Sequence, residues 1–183
     1  GAYKVEYEKV PMADHNMDEI RASKTPDDIP YSGDKGIKLV DVRNGKASMK
    51  DFIAQLTDDD LCCIVRGEGM GSLKVTLGTA AAFGGVNKHL AELGIPCGCC
   101  DDGPSGLRLD SGVKAFNMPN GTLMACTFNP ELMTELFTFT GIEMKLNKID
   151  CLLGPGINIH RNPLNGRNFE YISEDPLLTG KMG

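Results

Sequence analysis

Within residues 152–176, LLGPGINIHRNPLNGRNFEYISEDP, the segment 157–170 alone holds eight side chains able to make strong hydrogen bonds: Asn158, His160, Arg161, Asn162, Asn165, Arg167, Asn168 and Glu170. Among these, a carboxylate accepts two hydrogen bonds and an arginine donates in a fork, so the stretch is equipped to hold a polar ligand. It begins as an apolar strand, Cys151-Leu152-Leu153, and breaks at Gly154-Pro155-Gly156. It closes on Ser173-Glu174-Asp175-Pro176, which reads as a helix start: a capping residue, two acids near the positive end of the dipole, and a proline near the first helical position. A strand that ends in a long polar loop and then enters a helix is the layout of a functional βα loop. Upstream, Asp101-Asp102 ends a second compact apolar run, Ile95-Pro96-Cys97-Gly98-Cys99-Cys100. Neighbouring strand residues face opposite sides, so only one of the two aspartates reaches a pocket at the strand end.

Two motifs in these stretches, DGPSGLR at 102–108 and GPGINIHRNPLNGRNFEYISEDP at 154–176, resemble the amino-terminal barrel domain of glycoside hydrolase family 3, most closely its β-glucosidases. The similarity covers residues 41–183. It implies an α/β fold, an incomplete TIM-type (β/α)8 barrel containing the first few βα units, within a retaining exo-β-glucosidase acting on terminal β-D-glucosyl residues. It selects Asp102 as the carboxylate that accepts hydrogen bonds from the hydroxyls of the terminal glucose, and Arg108 and Arg167 as arginines lining the same subsite. Glu170 resembles a position that holds the loop and orients the arginine. The residues alone leave other roles open: Asp102 as a turn cap, Arg167 paired with Glu170 or Glu174, Arg161 bracing the loop against Glu174 or Asp175, and His160 either facing the site or hydrogen-bonded elsewhere.

Asp102 and Glu170 could themselves form the pair of carboxyls, about 5 Å apart, that a retaining glycosidase needs. The resemblance instead implies a nucleophilic Asp on a later strand and an acid/base residue in a separate domain, so it assigns no catalytic residue to this chain and leaves the isolated chain inactive. Alternatives are a β-N-acetylhexosaminidase or β-xylosidase of the same family, or a non-catalytic sugar-binding module. The partners implied are a β-glucoside and further domains of the same polypeptide, with no cofactor and no metal.

The elements that must position these residues follow from local signals. Ser48 caps a helix over 48–56, and Thr57 with Asp60 forms a capping-box start for a second helix. Residues 67–85 are glycine-rich without the Gly-Lys-Ser/Thr that a phosphate loop requires, and read as a flexible loop over a barrel end. A short helix over 87–93 precedes the buried parallel strand at 95–100, and residues 117–122 read as a turn. A long helix starts at Asn129-Pro130, and a buried strand follows at 149–153. Strand, helix, strand and helix start repeat as βα units with a parallel sheet. A closed barrel takes about 250 residues, so residues 48–183 hold only its amino-terminal part. Residues 3–10 alternate as a half-buried strand, read with 1–10 as the tail of an upstream β-containing domain, and 11–47 reads as a linker.

The composition excludes several classes. A net charge of −6 without a Lys/Arg cluster does not attract nucleic acid or an anionic membrane. No apolar run reaches a transmembrane length, and none has the form of a signal peptide. Seven cysteines in mostly apolar segments read as buried free thiols of a reducing, cytoplasmic compartment. Cys97, Cys99 and Cys100 alternate across a strand and so do not converge on a metal.

Overall fold

The computed structural model describes Lys4, Glu6, Tyr7, Lys9 and residues 15–183, and the chain divides into two compact units, Gly1–Pro30 and Tyr31–Gly183. The expected strand at 3–10 lies outside the described residues apart from Lys4, Glu6, Tyr7 and Lys9, which are in no strand. The first unit contains one described helix, α1 (Met17–Lys24). Its Asn16 cap accepts from the backbone of Asp18 at 3.1 Å and of Glu19 at 3.3 Å, and it buries no residue.

In the second unit the capping signals become helices. Ser48 accepts from Asp51 N and opens α3 (Met49–Ala54), after a short α2 (Leu39–Arg43). Thr57 and Asp60 cap each other's backbone at the start of α4 (Asp58–Arg66). Residues 31–47, expected as linker, instead pack onto these helices. Gln55 is fully buried, accepts from Ile37 N at 2.9 Å and donates to Ile37 O at 2.6 Å, while Ile37, Leu39 and Val42 lie against Phe52, Leu56, Leu90 and Leu93. The signal missed was four apolar residues, Ile37, Leu39, Val40 and Val42, among polar ones, too short a run to show a period.

The sheet has the order β1–β2–β3, built from β1 (Ala81–Gly84), β2 (Cys97–Asp102) and β3 (Cys151–Leu153). β2 and β3 are parallel, with Asp101 beside Leu152 and Asp102 beside Leu153. β1, inside the stretch expected to be a flexible loop, runs antiparallel to β2, so the sheet is mixed. The backbone of Glu68 pairs with Ala82 on its other side. Glycine helps conceal this strand in the sequence, yet β1 needs it: a Cβ on Gly84 would lie 2.5 Å from the carbonyl oxygen of Pro96. α5 (Lys88–Glu92) links β1 to β2. α6 (Gly121–Ala125), in place of the expected turn, and α7 (Pro130–Leu146) link β2 to β3, and α8 (Pro176–Met182) closes the chain. Asp150 fixes the entry to β3, accepting from Cys99 N at 2.8 Å and donating its own N–H to Cys99 O at 2.9 Å.

Three apolar clusters hold the unit: one between α3 and α5, one beneath the β2 exit around Cys99, Leu107, Leu109 and Ile149, and one around Met118, Met124, Met133 and Met182. All seven cysteines are free, but only Cys99 and Cys100 are buried, which departs from the expectation of buried thiols. Among the described residues no helix is long and apolar enough to cross a membrane.

A polar link joins α4 to α5. His89 Nδ1 lies 2.8 Å from the buried Asp60 carboxylate, which also accepts from Asn87 at 3.2 Å. The hydrogen bond to Asp60 raises the His89 pKa. For Asp60 burial pushes upward, but the bonds from Thr57, Asn87 and His89 outweigh it and leave the pKa lowered. The raised histidine pKa gives stability that is complete below the ordinary value near 6.5 and is lost as pH rises through the folded value. The lowered aspartate pKa gives stability that is lost only under acid. His89→Gln in the full-length protein is therefore expected to remove the fall in thermal midpoint that follows as pH rises above about 6.5, while leaving the acid limb in place. An unchanged melting profile from pH 6 to 8, measured by calorimetry, contradicts this.

Candidate functional site

The carboxyl ends of β2 and β3 open into a cleft of about 540 Å³ lined by Ala80, Asp102, Pro104, Leu153, Pro155, Gly156, Ile157, Asn158, Arg167 and Tyr171. Ligand sites in parallel sheets lie at this end of the strands. Asp102 reaches the cleft as the last residue of β2, whereas Asp101 points to the other face and is fully buried. The pleat therefore separates the two aspartates as expected.

Arg167 comes from the long loop after β3. Asn165 Oδ1 accepts from Arg167 N, and Asn168 Nδ2 reaches back to Asn162 O at 2.7 Å, so the asparagines fold residues 162–168 into local turns. Thr122, on α6, donates to Tyr171 O at 2.6 Å and anchors the loop to the helix layer. The guanidinium is held twice, by Nε donating to Glu170 Oε1 at 2.5 Å and by the Tyr171 ring 5.9 Å from its central carbon. Glu170 is only 6% exposed and does not line the cleft. It braces the arginine, and it shares no pocket with Asp102 as a catalytic pair would. The hydrogen bond that Arg167 donates to Glu170, followed by the charge of Glu170 and more distantly that of Asp102, raises the Arg167 pKa.

Uncommitted atoms define what the cleft can do. Among the described residues, Arg167 spends only Nε on protein, so both terminal nitrogens remain available. Among the described residues Asp102 also accepts no side-chain hydrogen bond and has Arg108 Nη1 at 3.7 Å as its only ion-pair contact. An exposed carboxylate and an exposed guanidinium fork thus face one cleft whose other walls are largely apolar: Ala80, Pro104, Leu153, Pro155 and Ile157. Such a surface suits a molecule with hydroxyls on its rim and C–H groups on its faces. Cys100, on the cleft face two residues before Asp102, is no nucleophile: burial, then the neighbouring Cys151, pushes its thiol up to about 11.

The other expected site residues fall elsewhere. Arg108 is one step away, lining a small hollow with Asp102, Asp110 and Thr79, and its fork is taken by Asp110 through two bonds of 3.2 Å. Arg161 is exposed and donates to Asn158 Oδ1 at 3.1 Å, without the ion pair to Glu174 or Asp175. His160 stacks on Tyr171, ring centres 6.4 Å apart, and lines a separate hollow with Thr122, Phe128 and Ile172. Tyr171, Asn158 and Ile157 carry cleft roles that the sequence analysis did not assign. A tyrosine directly after the arginine's carboxylate partner was the available signal for the first.

No family model matches the chain. It is 65% identical over 176 residues to a β-glucosidase of Ruminococcus albus, an alignment covering 96% of this chain and 19% of that protein. A crystal structure of a β-glucosidase from Paenibacillus barengoltzii superposes with a TM-score of 0.87 at 55% identity, over 98% of this chain and 19% of its own. β-Glucosidase 3B of Thermotoga neapolitana, solved with glucose, superposes with a TM-score of 0.63 at 35% identity, over 72% of this chain and 20% of its own. The chain spans about a fifth of the length of these relatives.

Proposed function

This chain belongs to glycoside hydrolase family 3, and from that premise we propose that the full-length protein is a retaining exo-β-glucosidase in which this segment supplies part of the subsite for the terminal glucose. The observation that carries the reading is the shared cleft of Asp102 and Arg167, each with free hydrogen-bonding atoms and both above an apolar floor. Asp102 accepts from two adjacent hydroxyls of the ring, and the terminal nitrogens of Arg167 donate to a neighbouring oxygen. Arg108, held by Asp110, acts as the positive wall behind Asp102. Glu170 and Tyr171 orient Arg167, and Arg161 and His160 brace the loop from outside.

In this reading β2 and β3, with their helices, are early βα units of an incomplete (β/α)8 barrel. The nucleophilic carboxylate and the acid/base belong to the remaining length of the protein, so residues 1–183 alone bind sugar weakly and hydrolyse nothing. The full-length protein is expected to release aglycone from an aryl β-D-glucoside at a kcat/KM at least about tenfold above that for the matching β-xyloside or β-N-acetylglucosaminide. Preference for either of the other two glycosides replaces the glucose assignment, and inactivity on all three supports a non-catalytic sugar-binding module instead.

A further inference from the structure

Asp101 is fully buried, and neither carboxyl oxygen has a hydrogen-bond partner among the described residues. It lies on the face of β2 opposite Asp102, immediately before the DGPSGLR motif that Asp102 opens and the loop at 103–108 completes. That loop turns back over the strand end. Arg108 N donates to Asp102 O at 2.9 Å, and Leu107 and Leu109 are buried with Cys99. The fold-back is tight: with φ at +151°, Gly103 has no room for a side chain, since a Cβ there would lie 2.0 Å from Gly106 O.

The neighbours of Asp101 offer it no counter-ion in hydrogen-bonding contact. Its register partner on β3 is Leu152, β3 adds the Cys151 thiol, and β1 carries no titratable group. Asp102, Asp110 and Arg108 act on it from its own strand and loop, and Cys100 sits beside it. An ionised carboxylate in such a place is strongly disfavoured against the neutral acid. Burial accordingly raises the Asp101 pKa, with the nearby backbone N–H groups of Asp102 and Arg108 opposing in part.

We infer that Asp101 is a positioning residue: held as a neutral carboxylic acid beneath the 103–108 loop, it seats Asp102 for the sugar, and its ionisation shifts the loop and weakens sugar binding. The inference rests on the glucose-subsite reading and adds a pH control to it. It is tested on the full-length enzyme by following KM and kcat for an aryl β-glucoside upward from about pH 5, above the ordinary carboxyl range, because burial raises the Asp101 pKa. Wild type is expected to show KM rising toward the alkaline end with a smaller change in kcat. Asp101→Asn, neutral at every pH and nearly isosteric, is expected to keep the low-pH wild-type KM within about twofold throughout.

A wild-type KM that stays flat overturns the inference. So does an Asp101→Asn profile that rises with the wild type, or a KM raised tenfold at neutral pH where the neutral amide should be silent. Asp102→Ala, assayed alongside, separates the two levels. If it leaves KM unchanged, the subsite reading itself fails. If it loses binding while Asp101→Asn tracks the wild type, only the role of Asp101 is lost.

Discussion

Asp102→Ala in the full-length enzyme is expected to lower kcat/KM for an aryl β-glucoside by about 10³-fold, the largest effect of any substitution in this segment. Two charge-assisted hydrogen bonds at about 1.5–3 kcal/mol each account for it, since about 1.36 kcal/mol is a factor of ten. The side chain is well placed to give this energy to a ligand because it spends little on the protein: among the described residues no side-chain donor is within hydrogen-bond distance, and Arg108 stands off at 3.7 Å. For the same reason its removal should cost little stability, and the circular dichroism spectrum and melting temperature should match the wild type. Asp102→Asn keeps one acceptor, loses the charge and should fall between, about tenfold down. A loss below threefold for the alanine variant means that the carboxylate only caps the turn after β2.

Glu170→Gln is expected to come second, with kcat/KM about 10²-fold down and most of the loss in KM. Glu170 does not touch the cleft, so the effect must pass through Arg167, whose Nε it holds. The amide keeps shape and one acceptor but removes the charge that raises the Arg167 pKa and fixes its plane. Shape matters here: a Cβ on Gly156 would come within 3.1 Å of Glu170 Oε2, so the carboxylate is packed beneath the cleft wall. Arg167→Lys should mimic the loss, because a lysine offers a point charge in place of a fork that can serve Glu170 and a sugar oxygen together. Equal losses for Glu170→Gln, Arg167→Lys and the double variant mark one coupled unit. Additive losses mean that Glu170 acts independently of the arginine.

Signals that act within a few residues were readable in the chain itself. Ser48 and Thr57 with Asp60 cap the helices they were expected to cap, and Asn87 and Asn129 cap the helices expected to start there, because a cap is a contact between residues two or three apart; at the last helix the cap is Asp175, two residues beyond the expected Ser173. The alternation across β2 likewise predicted that only one of Asp101 and Asp102 reaches the pocket. The misses depend on distant partners. β1 exists because Ala81, Ala82 and their neighbouring glycines fit against Cys97–Asp102, and no periodicity in four small residues reveals that. Residues 31–47 look like a linker until Gln55 and Leu93 supply partners for Ile37 and Leu39. In the site, Arg167 and Glu170 lie three residues apart and their pairing was one of the readings the residues left open. The capture of Arg108 by Asp110 and the stacking of His160 on Tyr171 were not, because they depend on how each loop folds back.

The most direct test is a structure of the full-length protein with glucose bound. It should show the carboxylate of Asp102 and a terminal nitrogen of Arg167 each within about 3.2 Å of hydroxyl oxygens on the same pyranose ring, with Glu170 still on Arg167 Nε. A sugar that meets only one of the two side chains, or that lies outside the cleft they share, contradicts the account.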